Sequence, residues 1–328
     1  MNMDLWGKAG GKIAPYMTKA YYFLKPAMPW AIRIRVRRLL ANRLRRQFSG
    51  SWPILPSAAR LPDGWPGWPN GRRFAFVVTH DVEGAGGLAR CRKLADLDKA
   101  LGIRAAFNFV PEGEYRVPDS LRAALEQEGF EVGVHDLHHD GTLYRSGKSF
   151  REQAEIINHY IQKWEASGFR AGFMFHNLEW LHALNVLYDA STFDTDPFEP
   201  QSDGAGTIFP FWVQGTNSKG YIELPYTIPQ DSTLFVLLKE RTSDVWRKKL
   251  DWVASHGGMV LVNVHPDYIS FDGRPKASEY PADLYEQLLK YVLSRYGDTC
   301  WYALPREVAA FAAQFKPRLV LDTNHPSS

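Results

Sequence analysis

Between Arg72 and Phe315 the chain repeats one order, a β-rich run followed by a helix-patterned run, about seven times in 244 residues. That repetition most constrains the fold. Each helix carries the chain back to the same end of the sheet, so the strands run parallel with helices outside. The span is close to the roughly 250 residues typical of a (β/α) barrel. Strand patterns fall at 74–81, 103–110, 131–136 and 258–265, with shorter apolar runs at 169–175, 186–192 and 299–305. Helical spacing marks 88–102, 120–129, 149–168, 245–258, 282–297 and 306–315, with Ser120 as a candidate cap and Gly102 and Gly129 as stops. From Asp194 to about Asp231 the pattern loosens, which reads as an insertion with β-like pieces at 207–213 and 221–225.

The residues ahead of this body differ in charge. Residues 1–49 hold eleven Lys or Arg and one acid, Asp4, a formal +10. The remainder holds 28 basic and 35 acidic residues, a formal −7. The expected organisation is a basic arm (1–50), a Pro/Gly/Trp-rich linker (51–71), the β/α body (72–315) and a tail (316–328). Residues 30–46 place seven arginines among Trp30, Ile32, Ile34, Leu39, Leu40 and Leu44, a pattern for an amphipathic basic helix. Two readings stay open for it: contact with an anionic membrane, or docking on its own domain. Nucleic acid is not expected, because no binding motif accompanies the charge. With 45% hydrophobic and 14% aromatic residues the chain has ample core material, which excludes a disordered or fibrous class. Cys91 and Cys300 form neither a disulfide framework nor a CxxC metal site. No run is long and apolar enough for a membrane span or signal peptide, so a cytoplasmic location is expected.

Chemistry in a parallel barrel sits at the C-terminal ends of its strands. The first strand ends Thr79-His80-Asp81-Val82-Glu83, and alternation lets Asp81 and Glu83 share a face while His80 and Val82 point away. The third ends His135-Asp136-Leu137-His138-His139, the fourth carries Arg170, and a late strand ends Asn263-Val264-His265. His135 and His139 suit one metal if the chain turns helically after the strand. A carboxylate completes a His₂-carboxylate set that leaves a position open for water; Zn²⁺ fits it, and Co²⁺, Ni²⁺, Mn²⁺ and Fe²⁺ are also accepted. Asp81 follows an apolar run and needs a partner such as Arg170.

THDVE (79–83), HDLHH (135–139), FRAGF with Arg170, YDASTFDTDP (188–197) and VLVNVHPD (260–267) stand in an order that resembles the polysaccharide deacetylase family, also called NodB-homology or carbohydrate esterase 4. The resemblance covers about residues 72–315. It implies an α/β fold, a distorted (β/α)₇ barrel of the NodB-homology type with the basic helical arm in front, and metal-dependent removal of an acyl group from a sugar. It implies Asp81 as base, His135 and His139 as metal ligands, Arg170 as orienter of Asp81, and His265 as general acid. It leaves Asp194 and Asp196 as alternative partners of His265. The first motif departs from the family pattern: Val82 occupies the position of the usual second acid. The spacing is similar to a D-x-D variant in lipid-linked sugar deformylases, with Glu83 in the last place. The expected activity is N-deacylation, chiefly N-deacetylation, of an amino sugar in a nucleotide- or lipid-linked precursor. An O-deacetylase, a metal-free amidase of the same superfamily, or an inactive carbohydrate- or membrane-binding barrel are the alternatives.

Overall fold

The structure is a computed structural model describing residues 30–216 and 219–319, with the backbone alone at 30–33. Residues 1–29 of the arm and 320–328 of the tail lie outside the described residues. The strands are β1 (Phe74–Val82), β2 (Ala106–Phe109), β3 (Glu131–His135), β4 (Gly168–Arg170), β5 (Tyr188–Asp189), β6 (Phe211–Gln214), β7 (Gly220–Glu223), β8 (Met259–Val264), β9 (Ile269–Ser270), β10 (Tyr280–Pro281) and β11 (Cys300–Tyr302). The helices longer than two turns are α1 (Trp30–Gln47), α2 (Cys91–Ala100), α3 (Asp119–Gln127), α4 (Gly147–Lys163), α5 (Asp244–Ser255), α6 (Ala282–Tyr296) and α7 (Pro305–Phe315).

β1 is buried along its whole length, as an apolar strand covered on both faces must be. It pairs in parallel with β8 on one side; on the other, its first residues meet β11 and its last residues meet β2. The sheet continues through β3, β4, β5 and β7, all parallel, with β6 antiparallel on β7. The chain just after β7 closes the ring, because Thr227 and Ile228 both donate to the Leu261 carbonyl of β8. This is a distorted parallel barrel with helices outside.

Two local expectations change, and one link departs from the strand-helix order. Tyr221–Pro225 does not belong to an insertion: Gly220–Glu223 is the barrel strand β7, in register with β5 at Tyr188–Ile222 and Asp189–Glu223. No α-helix links β4 to β5. Phe173 and Met174 are left-handed there (φ 58° and 52°), which stops a helix directly after β4. Ser120 is not the cap of α3, which begins one residue earlier, behind Pro118; Ser146, by contrast, caps α4 through Ser149 N–H.

Residues 51–71 are packed on the barrel. Trp52, Ala58 and Trp68 are buried, and the Trp68 indole N–H donates to Gly257 O at 2.7 Å. α1 is docked on the body as well. Ile34 and Ala41 are buried, Arg38 donates to the carbonyls of Val236 and Ala277, and Arg45 meets Glu240.

Candidate active site

Polar residues interrupt the apolar barrel strands at matching register positions. Asn108 of β2 is the pairing partner of Asp81, and Asn263 of β8 that of Thr79. Alternation along β1 turns Thr79 and Asp81 inward. The Asp81 carboxylate accepts from Asn108 Nδ2 at 2.8 Å and Asn263 Nδ2 at 2.7 Å. Arg170 Nη1 lies 3.3 Å from Asp81 Oδ2 and donates to Thr79 Oγ1 at 3.0 Å. Burial alone would raise the Asp81 pKa. The Arg170 charge, with His135 and His265, outweighs it and holds the carboxyl well below the usual carboxylate range. Asp81 is therefore an ionised, fixed carboxylate. His80 points outward, buried between Val264 O and Asp98.

His135 ends β3. Its Nδ1 lies 3.1 Å from the Arg170 carbonyl, which only accepts, so Nδ1 carries the hydrogen. Burial lowers the His135 pKa and keeps the ring neutral, leaving a lone pair on Nε2. His135 Nε2 and His139 Nε2 are both buried without a hydrogen-bond partner. The link between them is not the expected helical turn. Asp136 and His139 are left-handed (φ 57° and 55°), and this bend folds His139 back so that the two rings are 4.9 Å apart. Asp136 is spent on the bend, accepting from Leu137 N and Gly172 N, and His138 turns away to Glu112 O. A Cβ on Gly172 would sit 2.6 Å from Asp136 Oδ2 and 2.9 Å from the His139 ring, so this close approach requires glycine.

Glu83 stands just past β1. Its Oε2 accepts from the Tyr268 hydroxyl at 2.6 Å, and its Oε1 lies 3.4 Å from His139 Nε2. Burial would raise its pKa, but His139 and His265 bring it down to about 2. Asp267 fixes the turn beneath, accepting from the backbone N–H groups of Glu83, Gly84 and Gly87. Ligand atoms of Glu83, His135 and His139 all lie within 4.8 Å of one another. Two imidazole nitrogens and a carboxylate form a donor set that fits a divalent ion such as zinc, the proton that Glu83 favours on His139 leaving when the ion binds.

His265 follows β8. Its Nδ1 donates to Asp231 Oδ1 at 2.6 Å, and its backbone N–H donates to Asp231 Oδ2. Nε2 is thereby turned into the site, 4.0 Å from Asp81 Oδ2 and 3.8 Å from Glu83 Oε1. Burial would lower the His265 pKa; the Asp231 charge and hydrogen bond push it up to about 10. Neither Asp194 nor Asp196 partners His265. Asp194 forms a buried ion pair with Lys249, and Asp196 accepts from the Tyr226 hydroxyl. The partner comes instead from the segment after β7, which lies against β8. Asp194→Asn should thus lower stability by on the order of 3 kcal/mol in denaturant unfolding, because Lys249 loses its buried counter-charge. It should leave the His265 titration where it is.

The sequence reading missed Asn108, Asn263, Asp231, Asp267 and Tyr268 as site residues. Asn108 and Asn263 had a signal, each a lone polar residue inside an apolar strand. Asp231 had none, since its approach to His265 depends on how the chain after β7 closes the barrel.

No protein-family model and no curated protein matches the sequence. Solved structures do. A Mycobacterium smegmatis protein assigned as a polysaccharide deacetylase superposes with a TM-score of 0.58 at 18% identity, covering 81% of this chain and 100% of that one. The Puue allantoinase superposes at 0.59 with 16% identity, covering 78% and 96%. The chain shares the fold of these two proteins, a distorted parallel α/β barrel, as its strand-helix order implied.

Proposed function

We propose that this protein is a metal-dependent hydrolase that removes an N-acyl group, in the first instance N-acetyl, from an amino sugar. One observation carries the reading: an ionised carboxylate, Asp81, and an imidazole held protonated, His265, stand 4.0 Å apart beside a His₂-carboxylate cluster. Glu83, His135 and His139 would hold the ion. When bound, such an ion polarises the acyl carbonyl and lowers the pKa of water. Asp81 takes the proton from the attacking water, with Arg170, Asn108 and Asn263 fixing its carboxylate. His265 gives the proton on Nε2 to the amine nitrogen as the C–N bond breaks. The products are a free amine and a carboxylic acid. A binding scaffold without turnover needs neither group, and the retained pair stands against that alternative. A nucleotide- or lipid-linked precursor at the cytoplasmic membrane face is the proposed substrate form.

A second reading has one observation in its favour. The allantoinase superposes as well as the deacetylase does, so a cyclic amide is a candidate substrate. Incubation with N-acetyl and N-formyl amino sugars, an O-acetyl sugar and a cyclic ureide, reading amine and acid separately, tests both. Turnover of the N-acyl sugars alone supports deacylation. Ring opening alone, or release from the O-acetyl sugar alone, contradicts it.

The acid role carries a pH prediction. His265 is raised above its ordinary value, so its contribution to activity and stability is present below that value and lost as pH rises through the shifted one. Asp231→Asn should move the alkaline limb of kcat/KM down by about one pH unit or more, since a hydrogen bond to a charged group is worth about 1.5–3 kcal/mol and one unit is about 1.36.

A further inference from the structure

We propose that the barrel end carrying the site is also the face on which the protein lies against an anionic lipid surface, through a basic rim built from three separate segments. Parallel topology sets the placement. Residues between β7 and α5 and residues between β8 and α6 both lie at the C-terminal ends of the strands, beside Asp231 and His265. α1 rests on these two segments. Arg38 donates through Nε to Val236 O and through Nη2 to Ala277 O, and Arg45 meets Glu240. Lys239 Nζ donates to the same Ala277 carbonyl at 2.9 Å, so two cations converge on one oxygen where the three segments meet. Burial and the neighbouring Arg38 charge both lower the Lys239 pKa, the mark of a crowded cationic surface.

The outward faces are rich in basic residues. Arg35, Arg37, Arg43 and Arg46 of α1, Lys239 and Arg241 beyond it, and Arg274 and Lys276 of the loop after β8 are all exposed except Lys239's contact side. Of the acids in these segments, Glu240 pairs with Arg45 and Asp272 with Lys93. Leu39, 72% exposed, and Leu40, 39% exposed, stand among the arginines. Cations flanking exposed leucines match the boundary between headgroups and acyl chains, whereas a nucleic acid gains nothing from the leucines. The surface stands independently of the reaction proposed above.

Co-sedimentation of the full chain with vesicles of phosphatidylcholine, with and without phosphatidylglycerol, tests it. Binding should require phosphatidylglycerol and weaken with salt. Neutralising a pair should weaken it roughly 30-fold, about 5-fold per basic residue, both for Arg43→Gln with Arg46→Gln and for Arg274→Gln with Lys276→Gln. All four side chains are exposed, and circular dichroism checks that the fold is kept. Equal binding to neutral vesicles would overturn the proposal. So would full binding by the Arg274/Lys276 variant, or displacement from the vesicles by a mixed-sequence oligonucleotide at matched charge.

Discussion

Asp81→Asn should lower kcat/KM by roughly 10²–10⁴-fold, the usual contribution of a general base, while the metal stays bound. The substituted amide is not an innocent isostere here. Asn108 and Asn263 both donate to the Asp81 carboxylate, so an Asn side chain would oppose one donor with another. Arg170, fully buried, would lose its counter-charge. Losing one partner of a buried ion pair costs about 3–5 kcal/mol, so the variant should also melt at lower temperature. Activity must therefore be compared well below its melting temperature. The wild-type pH profile adds a sign. Asp81 is held well below the usual carboxylate range, so it stays ionised through mildly acidic pH, and any acidic limb there belongs to another group. Near-normal turnover by folded, metal-loaded Asp81→Asn would remove Asp81 as the base.

The strand-helix order made the parallel barrel legible, and the rule that strand ends carry the chemistry located Asp81, Glu83, His135, Arg170 and His265 on one rim. Alternation on β1 was enough to separate inward Asp81 from outward His80, since period two depends on local backbone alone. What failed depended on tertiary closure. β7 was read as strand-like but placed in an insertion, because no helix precedes it and its hairpin partner β6 runs antiparallel to it. The Asp231–His265 pair was invisible because it joins two segments 34 residues apart through barrel closure. The His135–His139 approach was expected from helical spacing; two left-handed residues achieve it instead.

His139→Ala should strip most of the metal and abolish turnover while leaving the sheet intact. His139 lies beyond β3 in a bend, so its loss removes a ligand and the stacking on Phe173 without disturbing a strand. The affinity loss should exceed the roughly 10–100-fold that removal of an outer-shell partner costs. Equilibrium dialysis with zinc, followed by metal analysis, reads it. Tyr268→Phe, which deletes only the hydrogen bond to Glu83, should fall within that smaller range. Full zinc occupancy in Glu83→Ala would take Glu83 out of the ligand set and leave the Val82 departure without a substitute.

Amine and acid released from an N-acetyl amino sugar should be measured on one preparation as purified, after chelation, and after stoichiometric zinc is restored. The predicted result is equal release of amine and acetate, falling to background on chelation and returning with zinc. Undiminished release from protein that metal analysis finds empty, or no release from any N-acyl sugar by the metal-loaded protein, would contradict metal-dependent deacylation by this site.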